Sequence, residues 1–314
     1  MQYYFAPLEG LTDSIYRQLH HKYFPGIDRY YTPFFSPTIH RSFTQKERRE
    51  LQRADTLDFQ VVPQVLTRNA EDFLWMANQC ADAGYRELNL NLGCPSGTVT
   101  AKGKGSGALR DLEALDKFLK NIFSACPIAV SVKTRIGFSS PEEFPALLGI
   151  FNRYPIKELT VHPRTRTDFY KGSVDMDAFR HAVANSKNPL CYNGNLCSKE
   201  QIEALSSDFP TVDAVMLGRA LIADPGMLSP GGTTATALEQ FHDELLENYT
   251  EVFASSRNAM FRMKENWHYL RCRFDGGDKL FKQLRKTTDL SEYRRLTHEI
   301  FHNVPLAAML TPDW

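Results

Sequence analysis

The segment NLNLGCPSGTVTAKGKGSGAL, residues 89–109, puts a thiol, Cys94, at the exit of a short alternating strand. A proline, four glycines and two lysines follow it. Two reactions suit a thiol so placed. As a nucleophile it needs a histidine base nearby. As a general acid it needs only to be protonated and aimed at the atom that takes the proton. An inert buried cysteine, the usual fate of the residue, suits Cys126 or Cys191 better than one followed by a basic, glycine-rich loop. Other groups in the chain invite chemistry of a different kind. Gln64 and Lys133 offer an amide and a cation, matched to the polar edge of a planar heterocycle. His162 can donate to an anion or a carbonyl. "YNGN" (192–195) and "LGR" (217–219) carry glycines and backbone N–H groups of the kind that hold a phosphate, with Arg219 adding charge-assisted contacts. The carboxylates of a metal centre are missing from these positions, so no metal is expected.

These groups are positioned by a repeating pattern. Short β-rich runs fall at 2–8, 28–34, 58–66, 87–93, 127–136, 158–164, 189–195 and 214–220, with amphipathic segments such as 69–84, 111–125 and 198–209 between them. Strands alternating with helices mean parallel βαβ units. Eight of them point to a closed (β/α)8 TIM barrel, and no GxGxxG follows the first strand to suggest a dinucleotide fold. The central strands read as near-continuous apolar runs, covered on both faces. A barrel keeps its active site at the C-terminal strand ends. Here those ends carry Pro7 and Glu9, Gln64, Asn91 with Cys94, Lys133 with Arg135, His162 with Arg164, Asn193 with Gly194, and Gly218 with Arg219. Any one of these has a dull explanation as a solvated end or a turn. Six or more together do not.

Near residue 236 the texture changes to helix with almost no strand signal, after the linker "SPGGTTAT" (229–236). The expected division is a barrel domain at 1–235 and an all-α helical bundle at 236–314. Formal net charge is zero, so bulk charge gives no case for nucleic-acid binding. A local basic face is still available. Residues 257–295 hold 11 Lys/Arg against five Asp/Glu, and "HRSFTQKERRELQR" (40–53) is a second candidate. Within the tail, Phe261, Trp267, Tyr269 and Phe274 are expected in the bundle's own core. The six cysteines are scattered with no CxxC pair, which argues for reduced thiols in a cytoplasmic protein and against disulfides or a zinc site. No apolar run reaches about 18 residues, so no membrane span is expected. "MQYYFAPLEG" lacks the basic and apolar regions of a signal peptide and reads as a strand.

"APLEGLTD", "PQVL", "LNLGCPSGTV…GSGALRD", "VSVKTRIG", "LTVHPRT", "YNGN" and "AVMLGRA" follow one another in the order and spacing of the tRNA-dihydrouridine synthases, and "RMKENWHYL" resembles that family's C-terminal domain. The resemblance spans nearly the whole chain. It implies an FMN enzyme that reduces the C5–C6 bond of specific uridines in tRNA with NADPH, without an obligate protein partner. On this sequence it implies that Cys94 is the general acid for C5, and that Pro7, Gln64, Lys133, His162, Asn193, Gly194, Gly218 and Arg219 hold the flavin. Asn91, Arg135 and Arg164 are then expected around the target base. Lys102 and Lys104 on the loop, with Arg271 and Arg273 in the tail, are expected at tRNA. Two departures stand out: Leu8 replaces the family's usual methionine, and the loop after Cys94 differs in detail from the commoner basic version. A mobile loop closing over a base swung out of its stack would account for the glycines and lysines. Rival readings are a dihydroorotate-dehydrogenase-like barrel acting on a free pyrimidine, a Schiff-base aldolase using Lys133, and a non-catalytic tRNA-binding protein.

Overall fold

The computed structural model describes residues 1–313. They form two compact units. The first comprises residues 1–7, 28–195 and 204–216. Among the described residues, strand segments β1 (Gln2–Phe5), β2 (Arg29–Tyr31), β3 (Val61–Val62), β4 (Gln64–Val65), β5 (Glu87–Leu92), β6 (Ala129–Gly137), β7 (Leu159–Thr165), β8 (Leu190–Tyr192) and β9 (Ala214–Leu217) pair in the order β3-β2-β1-β9-β8-β7-β6-β5-β4. The ladders are parallel. The two ends of that order, β3 and β4, are one stretch of chain interrupted at Pro63, so the sheet closes on itself. Proline has no N–H to give a ladder, which splits the strand. Its carbonyl still accepts from the Asn89 N–H at 2.9 Å. The fold is the expected (β/α)8 barrel.

The helices along the chain are α1 (Ser14–Tyr23), α2 (Gln45–Glu50), α3 (Ala70–Asp82), α4 (Gly97–Thr100), α5 (Leu112–Ala125), α6 (Phe144–Phe151), α7 (Met176–Asn185), α8 (Lys199–Asp208), α9 (Arg219–Ala223), α10 (Ala235–Phe253), α11 (Ser256–Leu270), α12 (Asp278–Lys286) and α13 (Leu290–Asn303). Side-chain caps fix where several begin: Asn69, Asp111 and Asp175 accept backbone N–H groups in the first turns of α3, α5 and α7.

The central strands differ from the apolar runs expected. Successive strand residues face opposite sides. On β5, Leu88, Leu90 and Leu92 alternate with Glu87, Asn89 and Asn91; on β6, Val130 and Val132 alternate with Ser131 and Lys133. One face is therefore polar, and its side chains bond across strands. Elsewhere a buried cluster of Tyr4, Ala6, Tyr31, Val62, Cys191, Ala214 and Met216 fills the interior.

At the N-terminal strand ends lies a buried acidic group. Glu158 is 8% exposed, and burial above all pushes its carboxyl up to about 7. The Tyr4 hydroxyl lies 2.6 Å from Gln2 Oε1 and 2.9 Å from Glu158 Oε2. A phenol has one hydrogen and cannot serve both.

Among the described residues, the second unit comprises 8–27, 196–203 and 217–313. It contains α1 as well as α9 to α13. At its centre the Trp267 indole N–H donates to the Tyr293 hydroxyl at 3.0 Å, and Tyr293 lies 2.7 Å from His242 Nε2. Trp267 and Phe274 are buried as expected, but Phe261 is 40% exposed, with the Arg257 and Lys264 cations over its ring at 5.5 and 5.3 Å. The helix is amphipathic and Phe261 falls on its solvent side, so Phe261 is not part of the core. No helix among the described residues is long and apolar enough to cross a membrane.

Candidate active site

Gln64, Asn91, Cys94, Lys133, Arg135, His162, Arg164, Asn193 and Gly194 all belong to the barrel unit. Strand register brings several side by side: Gln64 pairs with Asn89, Asn91 with Lys133, and Arg135 with His162. Parallel pairing puts residues of equal depth next to one another, so polar side chains with the same facing form a band around the wall.

The band is a continuous hydrogen-bond relay. Asn91 Nδ2 donates to Gln64 Oε1 at 2.7 Å, Gln64 Nε2 to Asn89 Oδ1 at 2.8 Å, and Asn89 Nδ2 to Ser131 Oγ at 2.9 Å. Gln64 and Asn89 are fully buried, so each bond is needed to offset their loss of water. At its open end the relay reaches the backbone of Cys94. Asn91 Oδ1 accepts from the backbone N–H groups of Gly93 and Cys94 at 3.0 and 2.9 Å, an Asx-type turn that sets where the chain leaves β5. Asn89 and Ser131 carry the relay but are absent from the residues singled out by sequence. The alternation E-L-N-L-N-L, with Asn89 two residues before Asn91, is the signal that would have found Asn89.

Cys94 is half-buried, and all six cysteines are thiols. Its carbonyl accepts from the Ser106 N–H at 3.1 Å and from Ser106 Oγ at 2.8 Å. The glycine-rich segment is folded as a short helix, α4, and a 3-10 turn over Gly105–Arg110. Its glycines answer to space as much as to mobility. Gly105 has φ +56°, and a Cβ there would lie 2.8 Å from the Cys94 carbonyl oxygen. One at Gly107 would lie 2.6 Å from the Thr100 carbonyl oxygen. The turn can press on Cys94 only with no side chains between.

The cations divide into spent and available. Arg135 is 1% exposed and donates from Nε to Gly93 O at 2.9 Å and from a terminal nitrogen to Thr165 O at 2.7 Å. It ties the Cys94 turn to the end of β7. Arg164, also 1% exposed, donates to Lys171 O, Asn195 Oδ1 and His162 Nε2 at 3.2, 3.2 and 3.1 Å. Guanidinium has no acceptor, so His162 accepts at Nε2 and carries its proton on Nδ1. Lys133 differs. Among the described residues it makes no hydrogen bond or ion pair, and it keeps partial solvent exposure. Burial first, then the Arg135 charge, push its ammonium down to about 8, while Cys191 and Cys94 pull the other way.

Asn193 Nδ2 donates to Met216 O at 2.7 Å, locking the end of β8 to β9, and a Cβ at Gly194 would lie 2.9 Å from the Tyr192 hydroxyl. Pro7 follows β1 and is half-buried. Lys104 donates to Ser36 Oγ at 3.1 Å; burial lowers its pKa, as do the charges of Lys102 and Arg68, which form a basic cluster with it.

In the helical unit, Gly218 is the N-cap of α9 and Arg219 its first residue, half-buried, with a charge felt by the Cys197 thiol. Arg271 and Arg273, expected at tRNA, are engaged inside this unit. Arg271 donates to the Asp313 carboxylate at 2.6 Å; Arg273 lies 3.3 Å from Asp224 Oδ1 and donates to the Ala307 carbonyl. The exposed basic side chains of the tail include Lys279, Lys282, Arg285 and Lys286 on α12, whose apolar stripe contains the buried Leu284, along with Arg257 on α11 and Arg294 and Arg295 on α13.

The sequence profile of the dihydrouridine synthase family (Dus) matches residues 4–311. The chain is 29% identical to tRNA-dihydrouridine synthase B of Proteus vulgaris over 221 residues, 70% of this chain and 67% of that one. It is 26% identical to tRNA-dihydrouridine(16) synthase of Shigella flexneri, covering 96% of this chain and 98% of that one. Morphinone reductase has a similar fold, with a TM-score of 0.50 at 14% identity over 72% of this chain and 84% of that one.

Proposed function

Because this chain belongs to the dihydrouridine synthase family, we propose that it is a cytoplasmic enzyme that reduces the C5–C6 bond of uridines in tRNA, using FMN as prosthetic group and NADPH as reductant. The observation that carries the reading is Lys133: a cation with no hydrogen-bond or ion-pair partner among the described residues, on a wall whose other cations are committed to backbone carbonyls. Such a site suits an electron-rich heteroatom edge. The neighbouring Gln64 amide, the neutral His162 and the Asn193 turn suit the other polar edges of a flat ring system. Within the helical unit, taken by itself, Gly218 and Arg219 offer backbone N–H groups and a charge of the kind that suit a phosphate.

FMN, which Gln64, Lys133, His162 and Asn193 would hold, would supply the hydride chemistry, with NADPH as the source of reducing equivalents. The protein supplies the rest. Cys94, held by Asn91 and Ser106, gives its proton to C5 and regains one from solvent, so the double bond takes up one hydride and one proton. Arg135 keeps the turn carrying Cys94 in register with β7. Lys133 would set its positive charge against an electron-rich edge of the ring. The basic cluster of Arg68, Lys102 and Lys104, and the exposed face of α12, suit the phosphates of the tRNA. The Shigella flexneri relative, which matches 96% of this chain, is named tRNA-dihydrouridine(16) synthase, which makes uridine 16 the first position to examine.

The test is anaerobic. The flavoprotein is reduced with NADPH, mixed with tRNA lacking dihydrouridine, and followed by flavin reoxidation. Reoxidation by tRNA but not by free uracil or orotate is expected. Cys94→Ala should keep the flavin and its reduction by NADPH yet lose reoxidation by tRNA by about 10²–10⁴-fold, the usual contribution of a positioned acid. Discharge to a free pyrimidine, or a protein that takes up no flavin, would refute the reading. The depressed Lys133 also suits a Schiff base, and borohydride trapping of a carbonyl substrate on it would favour that rival.

A further inference from the structure

The helical unit carries a second constellation that the barrel chemistry does not use. His298 and His302 sit one turn apart on α13, so they project from the same face of the helix. Glu239, on α10, faces both: its Oε1 lies 3.1 Å from His298 Nδ1 and 3.6 Å from His302 Nδ1. The two imidazole rings are 3.9 Å apart between centroids. One donor atom from each of the three residues lies within 4.8 Å of the others. We propose that Glu239, His298 and His302 form a surface binding site for a late first-row divalent cation of the Zn²⁺ type.

The donor spacing argues for it. Ligands about 2.0–2.1 Å from a tetrahedral Zn²⁺ lie roughly 3.3 Å from one another, close to the 3.1 Å between Glu239 Oε1 and His298 Nδ1. The donor set argues for it too. Two imidazoles and a carboxylate suit Zn²⁺, Co²⁺ or Ni²⁺, whereas Mg²⁺ and Ca²⁺ prefer all-oxygen shells. His302 Nδ1 lies 3.0 Å from the His298 carbonyl oxygen, a bond that fixes the tautomer and leaves the Nε2 lone pair for a metal, as metal-bound histidines commonly do. Asp243, a turn further along α10 and within the electrostatic reach of His298, adds negative charge. His298 and His302 are well exposed and Glu239 partly so, leaving a fourth position to water.

The full chain is titrated with Co²⁺ and, by competition with a chromophoric chelator, with Zn²⁺. A single equivalent is expected, with a Co²⁺ spectrum free of thiolate charge transfer, since the chain also holds cysteines. His298→Ala and His302→Ala should each weaken Zn²⁺ binding by about tenfold or more, and Zn²⁺ should raise the melting temperature of the parent but not of either variant. All three residues lie at the surface, and the melting temperature without metal reports whether each variant is folded. Binding unchanged in both variants, a thiolate charge-transfer band, or no binding of Co²⁺ or Zn²⁺ would each overturn the site. The result is independent of the barrel reaction.

Discussion

Asn91→Ala tests whether the amide relay positions the thiol. Removing the amide strips three hydrogen bonds, two buried and one half-buried: those from the Gly93 and Cys94 N–H groups, and the one to Gln64 Oε1. At about 1 kcal/mol each the loss is about 3 kcal/mol, and more if the Gln64 oxygen finds no water. Asn91→Asp separates positioning from stability. The carboxylate still accepts from both N–H groups but cannot donate to Gln64. Gln64 and Asn89 can answer by turning their amides over, because the relay ends at Ser131, whose hydroxyl donates as readily as it accepts. The new charge also stands beside Lys133, its partner in register. The Asp variant should therefore lose only about 1 kcal/mol. The assay is the urea midpoint at unchanged m-value, paired with the rate at which tRNA reoxidises the reduced flavin. Asn91→Ala should slow that step by about 100-fold if Cys94 moves by an ångström or so, with flavin reduction by NADPH intact. If the Ala variant stayed within about 0.5 kcal/mol of the parent, below the worth of one such bond, or the Asp variant fell as far as the Ala variant, the relay would not be what holds Cys94.

Three further outcomes follow from local features of the fold. Glu158 titrates near 4.5 unfolded and about 7 folded, so the stability from its folded proton is full below about pH 4.5 and lost as pH rises through 7. The loss is at most about 3 kcal/mol; Glu158→Gln should abolish it, and parent-minus-variant stability that is flat across that window would refute the assignment. Gly105→Ala forces a Cβ to 2.8 Å from the Cys94 carbonyl oxygen at a positive φ. It should cost at least about 1–2 kcal/mol and slow reoxidation by tRNA without releasing flavin; a parent-like rate would show that the close approach is dispensable. Charge reversal of Lys279 and Lys282 on α12 should weaken tRNA binding and lower the slope of log K against log salt by about 0.7–0.9 for each phosphate no longer neutralised. An unchanged slope would remove α12 from the interface. Arg273→Glu is the wrong probe of RNA, because it would set a carboxylate against Asp224.

Local pattern was enough for much of this protein. Alternation of short β runs with amphipathic helices determined the barrel, since each strand needs a crossover to stay parallel to the next. The barrel in turn placed Gln64, Asn91, Cys94, Lys133 and His162 toward one end, because every strand in it runs the same way. Close approach after Cys94 is visible in its glycines. Tertiary structure alone decided which polar groups are free to act. Arg135, Arg164 and Lys133 look alike as cations at strand ends, yet the first two are committed to carbonyls of residues 93, 165 and 171 and the third is not. Arg271 and Arg273 belong to a basic stretch, yet their partners, Asp313 and Asp224, lie far away along the chain in opposite directions. Likewise α1 shares a compact unit with α9 to α13, a grouping no single cut in the sequence expresses. The physical reason is the same throughout. Strand and helix periodicity follow from neighbours a few residues apart, whereas the partner that satisfies a buried charge is chosen by distance in space.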